Sequence, residues 1–144
     1  MKTLLATCLL AGLAHGALAQ DKPAPILPDS IKWSGGADGA AQSAMVVGVA
    51  DKAGLYQQRV RMPAGSKIMP HTHPDERISV VLEGTIYVGF GEKFDEAVVV
   101  AIPTGAVYVA PAGVPHFVWA KDGPALYQEG GMGPTAANFV PTSP

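Results

Sequence analysis

From about Ser43 onward the chain is a series of short Val/Ile/Tyr-rich runs separated by clusters of Gly, Pro and Asp. The runs fall at 44–49, 55–62, 67–71, 77–82, 85–90, 97–102, 106–110, 116–119, 125–128 and 137–140. Turn signals stand between them, among them Pro63-Ala64-Gly65, Glu83-Gly84, Pro103-Thr104-Gly105, Pro111-Ala112-Gly113 and Asp122-Gly123-Pro124. Residues of this type are enriched in strands because they pack well on a pleated, half-buried surface. No later stretch of helix length carries an apolar period of 3.6. The pattern predicts an all-β domain, a sandwich or barrel of many short antiparallel strands.

The first 40 residues have a different texture. Lys2, an apolar run over 4–13 and the small-x-small triplet Ala17-Leu18-Ala19 follow the order of a secretory signal. The run is too short to cross a bilayer, so stable membrane insertion is not expected. Residues 1–19 are expected to be a cleaved signal peptide, which implies a secreted or periplasmic protein. Residues 20–40 are rich in Pro, Gly and Asp and predict an extended arm, with Trp33 free to anchor it by burying its ring. The domain proper is expected over 41–141.

Charge narrows the partners. The chain carries a net charge of −2, and loss of Lys2 makes it one unit more negative. Such a surface has no basic footprint for nucleic acid, so a small molecule is the expected partner. Cleavage also removes Cys8, the only cysteine, which excludes thiol chemistry and thiolate metal sites from the exported chain. Three histidines remain: His71, His73 and His116.

His71 and His73 are two apart. On a strand such residues face one side, so both imidazoles can converge on one point. Neutral imidazole binds Fe, Mn, Zn, Ni or Cu. Three such ligands would leave positions on one divalent transition metal open for exchange. An HxH pair alone is a weak signal, because paired histidines in strands are also plain surface residues.

The surrounding spacing is more specific. Gly65, His71, His73 and Gly84 stand at the intervals of the first motif of the cupin superfamily, and Gly105, Pro111, Gly113 and His116 at those of the second. The chain therefore resembles a small single-domain cupin. That resemblance implies a jelly-roll β-barrel with one metal on His71, His73 and His116, and a homodimer as the default state. Dioxygenase-like oxidation of a small oxygen-bearing molecule is the leading activity. A non-catalytic cupin that binds a metal or a small molecule is the alternative.

Two positions depart from the pattern. The family's Asn is Ala120, which matters little to a metal. The family's Glu, normally a fourth ligand, is Arg77. A guanidinium has no acceptor and keeps its proton, so it cannot ligate a cation. Held ~5 Å from a divalent ion at an effective dielectric of ~20, it would cost roughly 6–7 kcal/mol of repulsion. Glu76 shares its phase with Ile78, Val80 and Leu82, which predicts that Glu76 points inward as a ligand or general base. Otherwise Arg77 is expected to be tied to Asp75 or Glu76, or to clamp a substrate carboxylate. Met62, Met69, Tyr87, Tyr108, Phe117 and Trp119 are candidates to line an apolar pocket, with core packing as their plainer role. The glycine-rich segment Glu129 to Pro134 has no phosphate-binding helix after it and carries no nucleotide reading.

Overall fold

The computed structural model describes residues 25–141, so the expected signal peptide lies outside the described residues. Eleven strands form two antiparallel sheets. In chain order they are β1 (Ser34–Gly35), β2 (Gln42–Val47), β3 (Gly54–Met62), β4 (Lys67–Thr72), β5 (Arg77–Glu83), β6 (Thr85–Phe90), β7 (Val100–Pro103), β8 (Val107–Ala110), β9 (His116–Trp119), β10 (Ala125–Gly133) and β11 (Asn138–Phe139). One sheet runs β1-β2-β3-β10-β5-β8 and the other β11-β4-β9-β6-β7. The all-β class expected from the runs is present, and no ladder among the described residues joins the two sheets into a closed barrel.

The core lies between the sheets. Val60, Met62, Val81, Ile86, Val88, Val118, Ala125 and Tyr127 form one buried cluster. Each comes from the inward phase of its strand, as period-two alternation requires. On β9 the phase gives way to burial on both sides: His116, Phe117 and Val118 are all buried. Phe117 is accommodated on the outer side because residue 89 of β6 is glycine. A Cβ there would meet the Phe117 ring at 2.3 Å.

The arm is more structured than its composition suggests. A short 3-10 turn over Pro28–Ser30 precedes β1, which pairs with β2 through Ser34↔Ser43 and Gly35↔Gln42. Trp33 is half-buried, and the Arg61 guanidinium lies 4.4 Å above its ring. This is an anchor of the expected kind, made by cation–π contact with Arg61 of β3.

The largest departure from the expected strands is β10. It continues through Glu129-Gly130-Gly131 to Gly133, paired along its whole length with β3. Glycine is a poor strand former, but here it is required by close approach. A Cβ on Gly131 would fall 2.5 Å from the Glu76 carbonyl oxygen and 2.8 Å from Asp75 Oδ2.

Candidate metal centre

His71 is the penultimate residue of β4 and pairs directly with His116 at the start of β9. His73 follows one step beyond β4 on the same side as His71. All three are buried, at 5%, 3% and 2% relative exposure. One ring nitrogen from each lies within 4.8 Å of one from each of the others. The ring centroids are 4.4–5.0 Å apart.

Local backbone chemistry sets each ring. Pro70 has no N–H to give the ladder, and the β4–β9 register skips between Ile68 and His71. The Met69 carbonyl accepts a hydrogen bond from His71 Nδ1 at 2.8 Å. The Pro111–Pro115 turn does the same for His116, whose Nδ1 donates to the Val114 carbonyl at 3.1 Å. His73 Nδ1 donates to Ala136 O at 2.6 Å. The two histidine segments are also tied together, because the Gly113 N–H donates to the His73 carbonyl at 2.8 Å.

A carbonyl oxygen can only accept, so each Nδ1 carries the hydrogen and each neutral ring keeps its lone pair on Nε2. Burial holds the rings neutral. It pulls His71 and His73 down to about 4 and lowers His116 as well. Three neutral imidazoles with oriented donor atoms are the ligand chemistry that divalent transition metals take, and the carbonyl partners are the outer contacts that fix such ligands. The residues therefore fit the metal that the sequence motifs imply.

The structure corrects the expectation for Glu76. Glu76 is exposed, and so is Ile78 at 59%, whereas Arg77, Ser79 and Val81 are buried. The apolar phase of β5 is its outer face, where Ile78 and Val80 pair with Val109 and Val107 of β8. Apolar character misled because the inner face at this end of the strand is filled by charge and hydroxyl groups instead. Glu76 is not in the histidine cluster and lines a groove on the outside of the sheet with Ile78 and Met132.

Arg77 points inward and is engaged through both terminal nitrogens, while its buried Nε has no hydrogen-bond partner. Nη1 donates to Glu129 Oε1 at 2.6 Å, and Nη2 donates to Thr135 Oγ1 at 2.6 Å and to Ala136 O at 3.4 Å. Nε lies 3.8 Å from Asp75 Oδ2. The tie to Asp75 was expected, but the principal partner is Glu129. With both terminal nitrogens committed to protein groups, the guanidinium is not presented as a free bidentate clamp for a substrate carboxylate.

Glu129 is the site residue that sequence reasoning missed. It also accepts from Gln58 Nε2 at 2.5 Å and from Ser79 Oγ at 3.4 Å, its direct cross-strand neighbours on β3 and β5. Its signal is an acid in the inward phase Ala125-Tyr127-Glu129, hidden by the glycines that follow. Around it Tyr56 donates to Asp75 Oδ2 at 2.5 Å, and its hydroxyl is pushed up to about 12, mainly by burial. Burial likewise raises Tyr108 and Tyr127, so all three phenols stay protonated.

A cavity of about 310 Å³ opens onto His71, His73, Arg77 and Glu129, with Val60 and Phe139 among its apolar walls. The aromatic and Met residues expected to line it do other work. Met62 and Phe117 are core, Met69 is 42% exposed, and Tyr108 packs against the core cluster. Tyr87 and Trp119 are half-buried and pair on the outer side of their sheet, where Lys121 lies over both rings.

Comparison with known proteins agrees with this arrangement. The cupin domain model matches residues 58–127. Germin-like protein subfamily T member 2 of Arabidopsis thaliana is 33% identical over 67 residues, which is 46% of this chain and 30% of that protein. The match thus takes in less than a third of that relative's length. The polyketide cyclase RemF from Streptomyces resistomycificus superposes with a TM-score of 0.67 at 16% identity, covering 84% of this chain and 87% of that one. An oxalate oxidase superposes with a TM-score of 0.52 at 25% identity, covering 60% and 46%. The family model and the germin-like relative support a cupin domain over residues 58–127, and the solved structures share its fold.

Proposed function

We propose that this cupin is an exported enzyme that binds one divalent transition metal on His71, His73 and His116 and oxidises a small oxygen-bearing molecule with dioxygen. The observation that carries the reading is the convergence of three buried, neutral imidazoles on one another, each with Nδ1 committed to a carbonyl, beside a cavity of about 310 Å³ that His71 and His73 line. A metal bound there would supply Lewis acidity and a place for oxygen chemistry. The similarity to an oxalate oxidase supports the oxidative class.

The protein's own residues supply the rest. Val60, Ile68 and Phe139 give the cavity apolar walls, and Gln58 offers polar contact beside Glu129. Glu129 presents a carboxylate to the same space, with Oε1 held by Arg77 and Gln58 and Oε2 in only a 3.4 Å contact with Ser79. That less engaged oxygen is suited to accept a hydrogen bond from a substrate hydroxyl.

Protein purified without added metal, analysed for its elements and screened for oxygen uptake with small hydroxy and keto acids and phenols, tests the proposal. Metal-dependent oxygen uptake supports it. A tightly bound small molecule with no turnover on any oxidisable compound would make this a binding protein instead.

A further inference from the structure

The three histidines are held in two different ways. His71 and His116 donate to carbonyls two residues back in their own segments, Met69 and Val114. His73 donates to Ala136, 63 residues away in sequence. Its orientation depends on where the segment between β10 and β11 lies.

Little else holds that segment to the site. The Thr135 N–H donates to the Ala50 carbonyl, and β11 adds only the two-residue pairing with β4 and the bond from Val140 N to Pro70 O. The remaining ties gather on Thr135 and Ala136, through the Arg77 guanidinium, Asp75 and the Tyr56 hydroxyl, the last 3.4 Å from Thr135 Oγ1. Arg77 Nη2 donates to Thr135 Oγ1 and to the same Ala136 oxygen that His73 uses. The Thr135 hydroxyl in turn donates to Asp75 Oδ1 at 2.5 Å. Arg77, Asp75 and Thr135 are all buried, so these bonds lack competition from bulk water.

We propose that Arg77 is a positioning residue for the metal ligand His73, acting by pinning Thr135 and Ala136 so that the Ala136 carbonyl fixes the His73 ring. The role rests on reading the three histidines as metal ligands. It gives the arginine at this motif position a task that a guanidinium can perform and a carboxylate cannot. The planar fork reaches Glu129 with one nitrogen and the Thr135 hydroxyl and Ala136 carbonyl with the other. A lysine, with one point charge, cannot hold both at once.

The test compares wild type with Arg77→Lys and Thr135→Val, using nitrogen-15 spectra of labelled histidines and zinc titration. Thr135→Val removes the bridging hydroxyl without removing a charge, and Thr135→Ser keeps it. In the zinc-free wild type all three histidines are expected as Nδ1–H tautomers. In both variants His73 alone should become a mixture of tautomers, with His71 and His116 unmoved. Thr135→Ser should behave as wild type. Zinc affinity should fall by about 10- to 100-fold, the usual range for loss of an outer contact to a metal ligand. A His73 that keeps its tautomer in both variants would overturn the proposal, as would loss of all three signatures together in a folded variant. The zinc-free spectra decide the positioning role even where zinc fails to bind wild type and the metal reading falls.

Discussion

Arg77 and Glu129, on neighbouring strands of one sheet, meet at 2.6 Å with side chains only 4% and 6% exposed. Asp75 stands 3.8 Å from the same guanidinium, so two carboxylates surround one fixed positive charge. A metal with three neutral ligands thus has a buried group of net negative charge nearby, and Arg77 does not confront it unpaired.

Removing one member of that group leaves buried charge without a partner. Arg77→Met should destabilise the fold by about 3–5 kcal/mol, because Glu129 and Asp75 lose their counter-charge. Arg77→Met with Glu129→Gln should recover part of that loss. Denaturant unfolding of the single and double variants measures the coupling. A loss in the double variant equal to the sum of the Arg77→Met and Glu129→Gln losses would show that the pair is not coupled.

Glu76→Gln should be nearly silent. Its side chain is exposed on the outer face, where substitutions usually stay within about 0.5 kcal/mol. Metal content and melting temperature are expected to match wild type. A fall in metal content would place this carboxylate at the centre after all.

Metal-free protein should lose stability as pH falls from about 6.5 to about 4. His71 and His73 sit at about 4 in the fold against 6.5 when unfolded, so the unfolded chain binds more protons in that window. Between pH 7 and pH 5 the loss is roughly 2 kcal/mol for each histidine. Chelated wild type and a His73→Gln variant, unfolded in denaturant across this range, provide the comparison. The variant, with one fewer group to charge, should show the shallower slope, and identical slopes would contradict the burial argument.

We propose export on the order Lys2, apolar run, Ala17-Leu18-Ala19. The exported protein is expected to begin at Gln20, read by intact-mass measurement. A mass that retains residues 1–19 would contradict it.

The legible part of this protein was its spacing. Strands β6 and β9 follow their sequence runs from first residue to last. The histidine triad was legible because motif spacing fixes which side chains share a face. The charge network was not. Apolar phase normally marks the inward face, but β5 places Ile78 outside and Arg77 inside, since Glu129, Thr135 and Asp75 offer the arginine partners that only the fold brings near. Glu129 was hidden for a related reason. Its strand continues through glycines that composition marks as a loop, and these are needed only because Asp75 and the backbone of Glu76 approach so closely. Long-range partners of this kind leave no local pattern.

The central claim is that His71, His73 and His116 hold one metal together. The most direct measurement is the metal content of wild type and of His116→Ala, purified identically without added metal and confirmed folded by circular dichroism. Wild type should carry about one transition-metal ion per chain, and His116→Ala should lose most of it, since each imidazole supplies one of few protein bonds. Full metal content in folded His116→Ala would contradict the account.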